Sequence, residues 1–227
     1  DFVTQGMLTL VEFLMFFALY GAEEAGTLGQ QGLVEGLAAV EDAVAAHRAC
    51  LPVADAFVER HIGELSRRSP ALIVGNGPAW GVAEEASLKF QETLKISAAP
   101  FEGEEFLHGP EMQVAPGHLV FIQDDPVGSP RLARCAQVMA QVTPSAWLLT
   151  AHPQGKDFEV PLPSCANPLC TAIPNLAFFQ VVAATVAEAT KSWDVHPFLA
   201  AHEGELGSKA AGYDEAQAKL EQRASTL

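Results

Sequence analysis

The chain has 227 residues, 49% apolar and 18% charged, enough for one α/β domain with a sizeable core, or one and a half. Thirteen Lys and Arg against 28 Asp and Glu leave a net charge of −15, which argues against the basic surface that nucleic acid or an anionic membrane requires. The four cysteines, at 50, 135, 165 and 170, form no C-x-x-C pair and have no histidine at metal-ligand spacing, so reduced thiols, a cytoplasmic setting and no metal or cofactor are expected.

In chain order, Gly6 to Tyr20 is strongly apolar but interrupted by Glu12 and followed by Glu23 and Glu24. It falls short of the roughly 20 apolar residues of a membrane span and lacks the basic flank of a secretory signal, so it reads as a core helix buried nearly all round. Two further helices are expected. One runs from Gln30 to His47, with Leu33, Leu37, Val40 and Val44 on one face, and the other from Pro52 to Arg67, with Pro52 at its start.

Ala71 to Val74 is a short apolar run of the kind that forms a buried strand, and it stops at Gly75-Asn76-Gly77-Pro78. A helix from Ala79 to about Lys95 follows. Further strands are expected at Ser97–Glu102, His118–Gln123, Ser145–Thr150 and Asp157–Leu162, with helices at Ser129–Val142 and Ala172–Ser192. Strands separated by helices imply a parallel sheet covered on both faces, an α/β fold preceded by a helical segment. An amphipathic helix over Tyr213–Arg223 closes the chain.

The chemistry concentrates between Gly75 and Pro110. Gly75-x-Gly77 continues with Trp80 where a dinucleotide fingerprint needs glycine, so a nicotinamide nucleotide is not supported. The amides of Asn76 and Gly77 either hold a ligand oxygen or form a plain tight turn. Glu85, Lys89 and Glu92 recur at i, i+4 and i+7 along one side of the helix. Read alone, they are either a solvated Glu-Lys stripe or a functional set. His108 is fixed between a short helical turn and the Gly109-Pro110 break, a setting suited to a titrating residue.

The block resembles the second lobe of the sugar isomerase (SIS) domain family, which includes the isomerase half of glucosamine-6-phosphate synthase, amino-sugar-phosphate deaminases and fructoselysine-6-phosphate deglycases. The matching features are the strand-Gly-x-Gly entry, the E-x-x-x-K-x-x-E helix at Glu85, Lys89 and Glu92, and the ending Glu104, Glu105, His108-Gly109-Pro110, with His108 lying 16 residues after Glu92.

The resemblance implies a flavodoxin-like three-layer lobe. Residues 1–68 would then be the end of a first lobe and its linker, 69–192 the second lobe, and 193–227 a tail. It makes Glu92 the base that moves a proton between C1 and C2, His108 the group that opens the sugar ring, and Lys209 a further catalytic residue folding back from the tail. That lysine equally reads as an exposed side chain. Gly75, Asn76, Gly77, Glu85, Lys89 and Glu105 would contact substrate, although Glu85 could simply be satisfied by Lys89.

The implied function is a phosphosugar isomerase-type enzyme on an amino-sugar phosphate, a deglycase or deaminase. It would work as a homodimer or higher homo-oligomer, with no nucleic acid or membrane partner. The alternatives are a sugar-phosphate-binding regulatory domain and the isomerase part of a glutamine-dependent synthase. The family's Ser/Thr-rich phosphate loop has no counterpart here. The expectation is therefore that a first lobe precedes Asp1 in the native protein, and that residues 1–227 alone associate and do not turn over.

Overall fold

The computed structural model describes residues 5–124 and 130–193, with six separate positions (205, 212, 215, 218, 219 and 222) further on. The chain divides into Asp1–Trp193 and Asp194–Leu227. Lys209 lies outside the described residues, and of the expected terminal helix positions 215, 218, 219 and 222 are helical.

Five parallel strands form one sheet: β1 (Ala71–Val74), β2 (Ala98–Phe101), β3 (Leu119–Gln123), β4 (Ala146–Thr150) and β5 (Glu159–Pro161), in the order β2-β1-β3-β4-β5. Each lies within the run that its apolar residues predict. β1, β3 and β4 are buried at every position, as expected for a parallel sheet with helices on both faces.

Side-chain alternation sorts the strand residues into two cores. Leu72, Val74, Val120, Ile122 and Leu148 pack beneath α5 (Pro130–Val142) through Leu132, Cys135, Ala136 and Met139. Ile73, Phe121, Trp147 and Leu149 face the other way. They meet α2 (Gln30–Leu65), α3 (Pro78–Lys89) and α6 (Ala172–Thr190) around Phe57, Phe90, Phe178 and Phe179. Edge-on ring contacts, among them Phe57–Trp147 at 5.0 Å and Phe90–Phe121 at 5.7 Å, tie this core together.

Two helical expectations are corrected. The pair Gln30–His47 and Pro52–Arg67 is one 36-residue helix, α2, with Pro52 inside it. Proline there forgoes the hydrogen bond to the Arg48 carbonyl, a loss of about 3 kcal/mol in an isolated helix. Cys50, Ala54, Phe57 and Val58, buried on either side of Pro52, offset it by packing against the sheet and α6.

The second correction concerns α1 (Gln5–Glu24), which is not buried all round. Leu8, Val11 and Met15 pack toward Ala43, Cys170 and Ile173, while Phe13 and Phe17 on the opposite side are 60% and 68% exposed. One neighbouring layer can cover only one side of a helix. Nor is the stretch too short to cross a membrane: among the described residues, Gly6–Glu24 and Pro168–Thr190 both have the length and apolarity, the second being mostly core and the first having no fully buried residue.

Candidate active site

The order 2-1-3-4-5 places a topological switch between β1 and β3, and the turn after β1 opens there. Gly75 N–H donates to the Phe101 carbonyl at 3.1 Å. A Cβ on Gly75 would stand 2.4 Å from the Ala79 oxygen and 2.9 Å from Gln123 Nε2, so α3 packs against bare backbone. Gly77, at φ +53°, is the N-cap of α3.

The Asn76 side-chain oxygen accepts from Gly103 N–H at 2.8 Å, which ties the β1 turn to the start of α4 (Gly103–Phe106). Gly103 is as constrained as Gly75: its Cβ would lie 2.5 Å from Asn76 Oδ1.

Beneath the turn are two residues that the sequence reading passed over. Gln123, fully buried, donates to the Ala79 carbonyl at 3.0 Å and accepts from Asn175 Nδ2 at 3.1 Å. A glutamine ending an apolar strand and an asparagine inside an apolar helix are signals in themselves, because a buried amide needs partners.

His108 follows α4 and is exposed. Glu102 caps α4, its carboxylate accepting from the Glu104 and Glu105 amides at 2.7 and 3.1 Å. The turn places His108 Nδ1 2.6 Å from the Glu104 carbonyl oxygen. A carbonyl only accepts, so Nδ1 carries the proton in that contact and Nε2 is left for exchange. Glu105 is exposed on the same turn, and Glu104 pairs with Arg131 at 3.1 Å.

The second cluster is the expected stripe on α3. Lys89 Nζ donates to Glu92 Oε2 at 2.7 Å and lies 3.5 Å from Glu85 Oε1. The lysine side chain is 5% exposed and that of Glu92 34%. Burial raises the pKa of Glu85 above the ordinary carboxylate value, and Lys89 opposes the rise. After Lys89 the helix widens into a π-turn, Phe90–Leu94, which carries Glu92, and Lys95 then closes it in a left-handed conformation. Glu85 also lines a cavity of about 320 Å³ between α1, α3 and α6.

These two clusters are not adjacent within one chain. Gln91 Nε2 donates to the Ala98 carbonyl, so the π-turn sits where β2 begins. His108 comes after β2 ends, and four strand residues separate the levels by about 13 Å. Among the described residues no group of three or more His, Cys, Asp or Glu could hold a metal ion. All four thiols are free, and burial pushes that of Cys50 up to about 12.

No protein-family model matches the sequence, and no curated protein does either. Solved structures do match in fold. A candidate phosphosugar isomerase from Clostridium difficile 630 superposes with a TM-score of 0.77 at 22% identity, over 87% of this chain and 56% of its own. The C-terminal domain of glucosamine-fructose-6-phosphate aminotransferase from Francisella tularensis gives 0.65 at 18%, over 77% and 50%. A candidate sugar-phosphate isomerase from Listeria monocytogenes gives 0.57 at 11%, over 77% and 98%. The chain thus spans about half the length of the first two. At these identities what is shared is the fold: a parallel α/β lobe of the phosphosugar isomerase type, the SIS architecture that Gly75–Pro110 resembles.

Proposed function

We propose that the chain provides the acid–base residues of a phosphosugar isomerase-type enzyme acting on an amino-sugar phosphate, as a deglycase or deaminase. The observation that carries this reading is the Lys89–Glu92 pair. A buried ammonium pairs at 2.7 Å with a carboxylate that is itself one-third exposed, and a carboxylate so placed can accept a proton from a bound carbon acid.

In this reading Glu92 moves a proton from C1 to C2 of an open-chain fructosamine, turning its C1 amine into an imine, or from C2 to C1 of a glucosamine, turning its C2 amine into one. The amine N–H proton passes to the former carbonyl oxygen, and water cleaves the imine. His108, through Nε2, moves the proton that opens the ring, and Lys209 assists from the tail. Gly75, Asn76, Gly77 and Glu105 line the approach to the sugar.

Since Glu92 and His108 stand at opposite ends of β2, one catalytic centre takes Glu92 from one copy and His108 from another. The protein therefore works as a homodimer or a higher homo-oligomer, in the cytoplasm and without cofactor. The apolar outer face of α1 is covered in that assembly.

A thermal-shift series tests ligand class. Hexose phosphates and amino-sugar phosphates should raise the melting temperature of the protein while NAD does not, because a ligand stabilises only the state it binds. A shift with NAD alone overturns the reading.

A further inference from the structure

A cavity of about 450 Å³ opens between α2 and the β4–β5 edge of the sheet, a volume within the range of small-molecule sites. None of Glu85, Lys89, Glu92 and His108 lines it, and β4 stands three strands from β2, about 14 Å across the sheet. The proton-transfer centre therefore neither uses this cavity nor accounts for it.

Its floor is aromatic. Phe57, His61 and Trp147 form a three-ring set, with centroids 4.8 Å apart for Phe57–His61, 5.1 Å for His61–Trp147 and 5.0 Å for Phe57–Trp147. Phe57 and Trp147 belong to the core, whereas His61 is partly exposed, so its ring is the surface that a ligand meets. Burial holds the imidazole below its ordinary pKa, which leaves Arg60 as the cation of the cavity at pH 7.

Charges of opposite sign line the cavity without pairing. Arg60 comes from α2, and Asp157 and Glu159 come from the segment that enters and forms β5. Among the described residues none of the three takes part in an ion pair. Glu159 Oε2 accepts from the Gln154 and Lys156 amides at 2.7 and 2.9 Å, which holds the side chain in place while Oε1 accepts no hydrogen bond from a described residue. A guanidinium and two carboxylates that share a cavity but stand too far apart to meet fit a ligand that carries both charges itself.

The geometry points to a binding site for an α-amino acid with an aromatic side chain: its carboxylate takes Arg60, its ammonium takes Glu159 or Asp157, and its ring lies on His61. Both charged groups of the ligand then make charge-assisted hydrogen bonds, and the ring adds a stacking contact. An aromatic amine loses the Arg60 contact. An aromatic acid loses the carboxylate contacts and is repelled by them. The site does not rest on the sugar-phosphate reading.

Isothermal titration of the full chain with L-phenylalanine, phenethylammonium chloride and sodium 3-phenylpropionate tests this, since the three share one ring and differ in charge. One equivalent of phenylalanine should bind at least tenfold more tightly than either analogue. Arg60→Met should weaken phenylalanine at least tenfold and leave phenethylammonium unchanged. Ala56 is exposed on α2 and lines the cavity, so Ala56→Trp fills it from the solvent side, leaves the core packing alone and should abolish phenylalanine binding.

No phenylalanine binding, equal affinity for the three compounds, or binding that survives Ala56→Trp in a folded protein overturns the proposal. The sugar-phosphate shift series is independent of this titration, so failure of either reading is distinguishable from failure of the other.

Discussion

Lys89 donates to Glu92 across 2.7 Å from a side chain that is only 5% exposed. The lysine is thus the buried member of the pair, and its removal strands two carboxylates on one stripe. Lys89→Met should destabilise the protein by about 2–3 kcal/mol, less than a fully buried pair because Glu92 is one-third exposed. Adding Glu85→Gln to Lys89→Met should restore part of the loss. Denaturant titration of the single and double variants gives the coupling, and strict additivity would show that Glu85 and Lys89 do not interact.

Glu92→Gln keeps the shape of the side chain but cannot take a proton, so kcat should fall by roughly 10³-fold or more with the fold intact. His108→Ala should slow a ring-closed substrate far more than an analogue fixed open. Because the two residues stand at opposite ends of β2, the inactive variants should complement each other. Mixed dimers of Glu92→Gln and His108→Ala contain one intact centre, so co-refolding should recover about a quarter of wild-type activity. No recovery would place both residues in the same chain's centre.

Glu85 gives a pH dependence with a definite sign. Its pKa is raised in the folded state, chiefly by burial, so the folded protein holds that proton more tightly than the unfolded chain. The contribution favours folding below the ordinary carboxylate pKa and is lost as pH rises through the folded value. The melting temperature of Glu85→Gln minus that of wild type should therefore become more positive from pH 4 to pH 7. A flat difference would remove the buried-acid assignment.

The turn after β1 makes a paired prediction. Gly75→Ala puts a methyl group 2.4 Å from the Ala79 carbonyl oxygen and should destabilise by about 1–3 kcal/mol. Gly81→Ala meets no atom within 4 Å and replaces a helical glycine, so it should stabilise by roughly 0.5–1 kcal/mol. Thermal melts of both report whether the close approach is real.

Much of this was legible from residues alone. The five strands announce themselves as short apolar runs, and the i, i+4, i+7 spacing puts Glu85, Lys89 and Glu92 together because a helix has a fixed period. Pro52 misled, since its local preference for a helix start was overridden by packing on either side. The exposure of α1 depends on what covers it, which an apolar run does not encode. The separation of Glu92 from His108 was implicit in β2 lying between them, but spacing along the chain does not state which end of a sheet a residue reaches. Gln123 and Asn175 were hidden because an amide within an apolar stretch is informative only once its partners are placed.

The most direct test of the account is solvent isotope exchange. With a phosphorylated fructosamine or glucosamine 6-phosphate in D₂O, the native protein should wash deuterium into C1 or C2, visible by NMR whether or not net conversion accumulates, and Glu92→Gln should abolish it. Exchange that persists in a folded Glu92→Gln protein, or none in the native assembly with any amino-sugar phosphate that shifts its melting temperature, would contradict the assignment of Glu92 as the proton-transferring base.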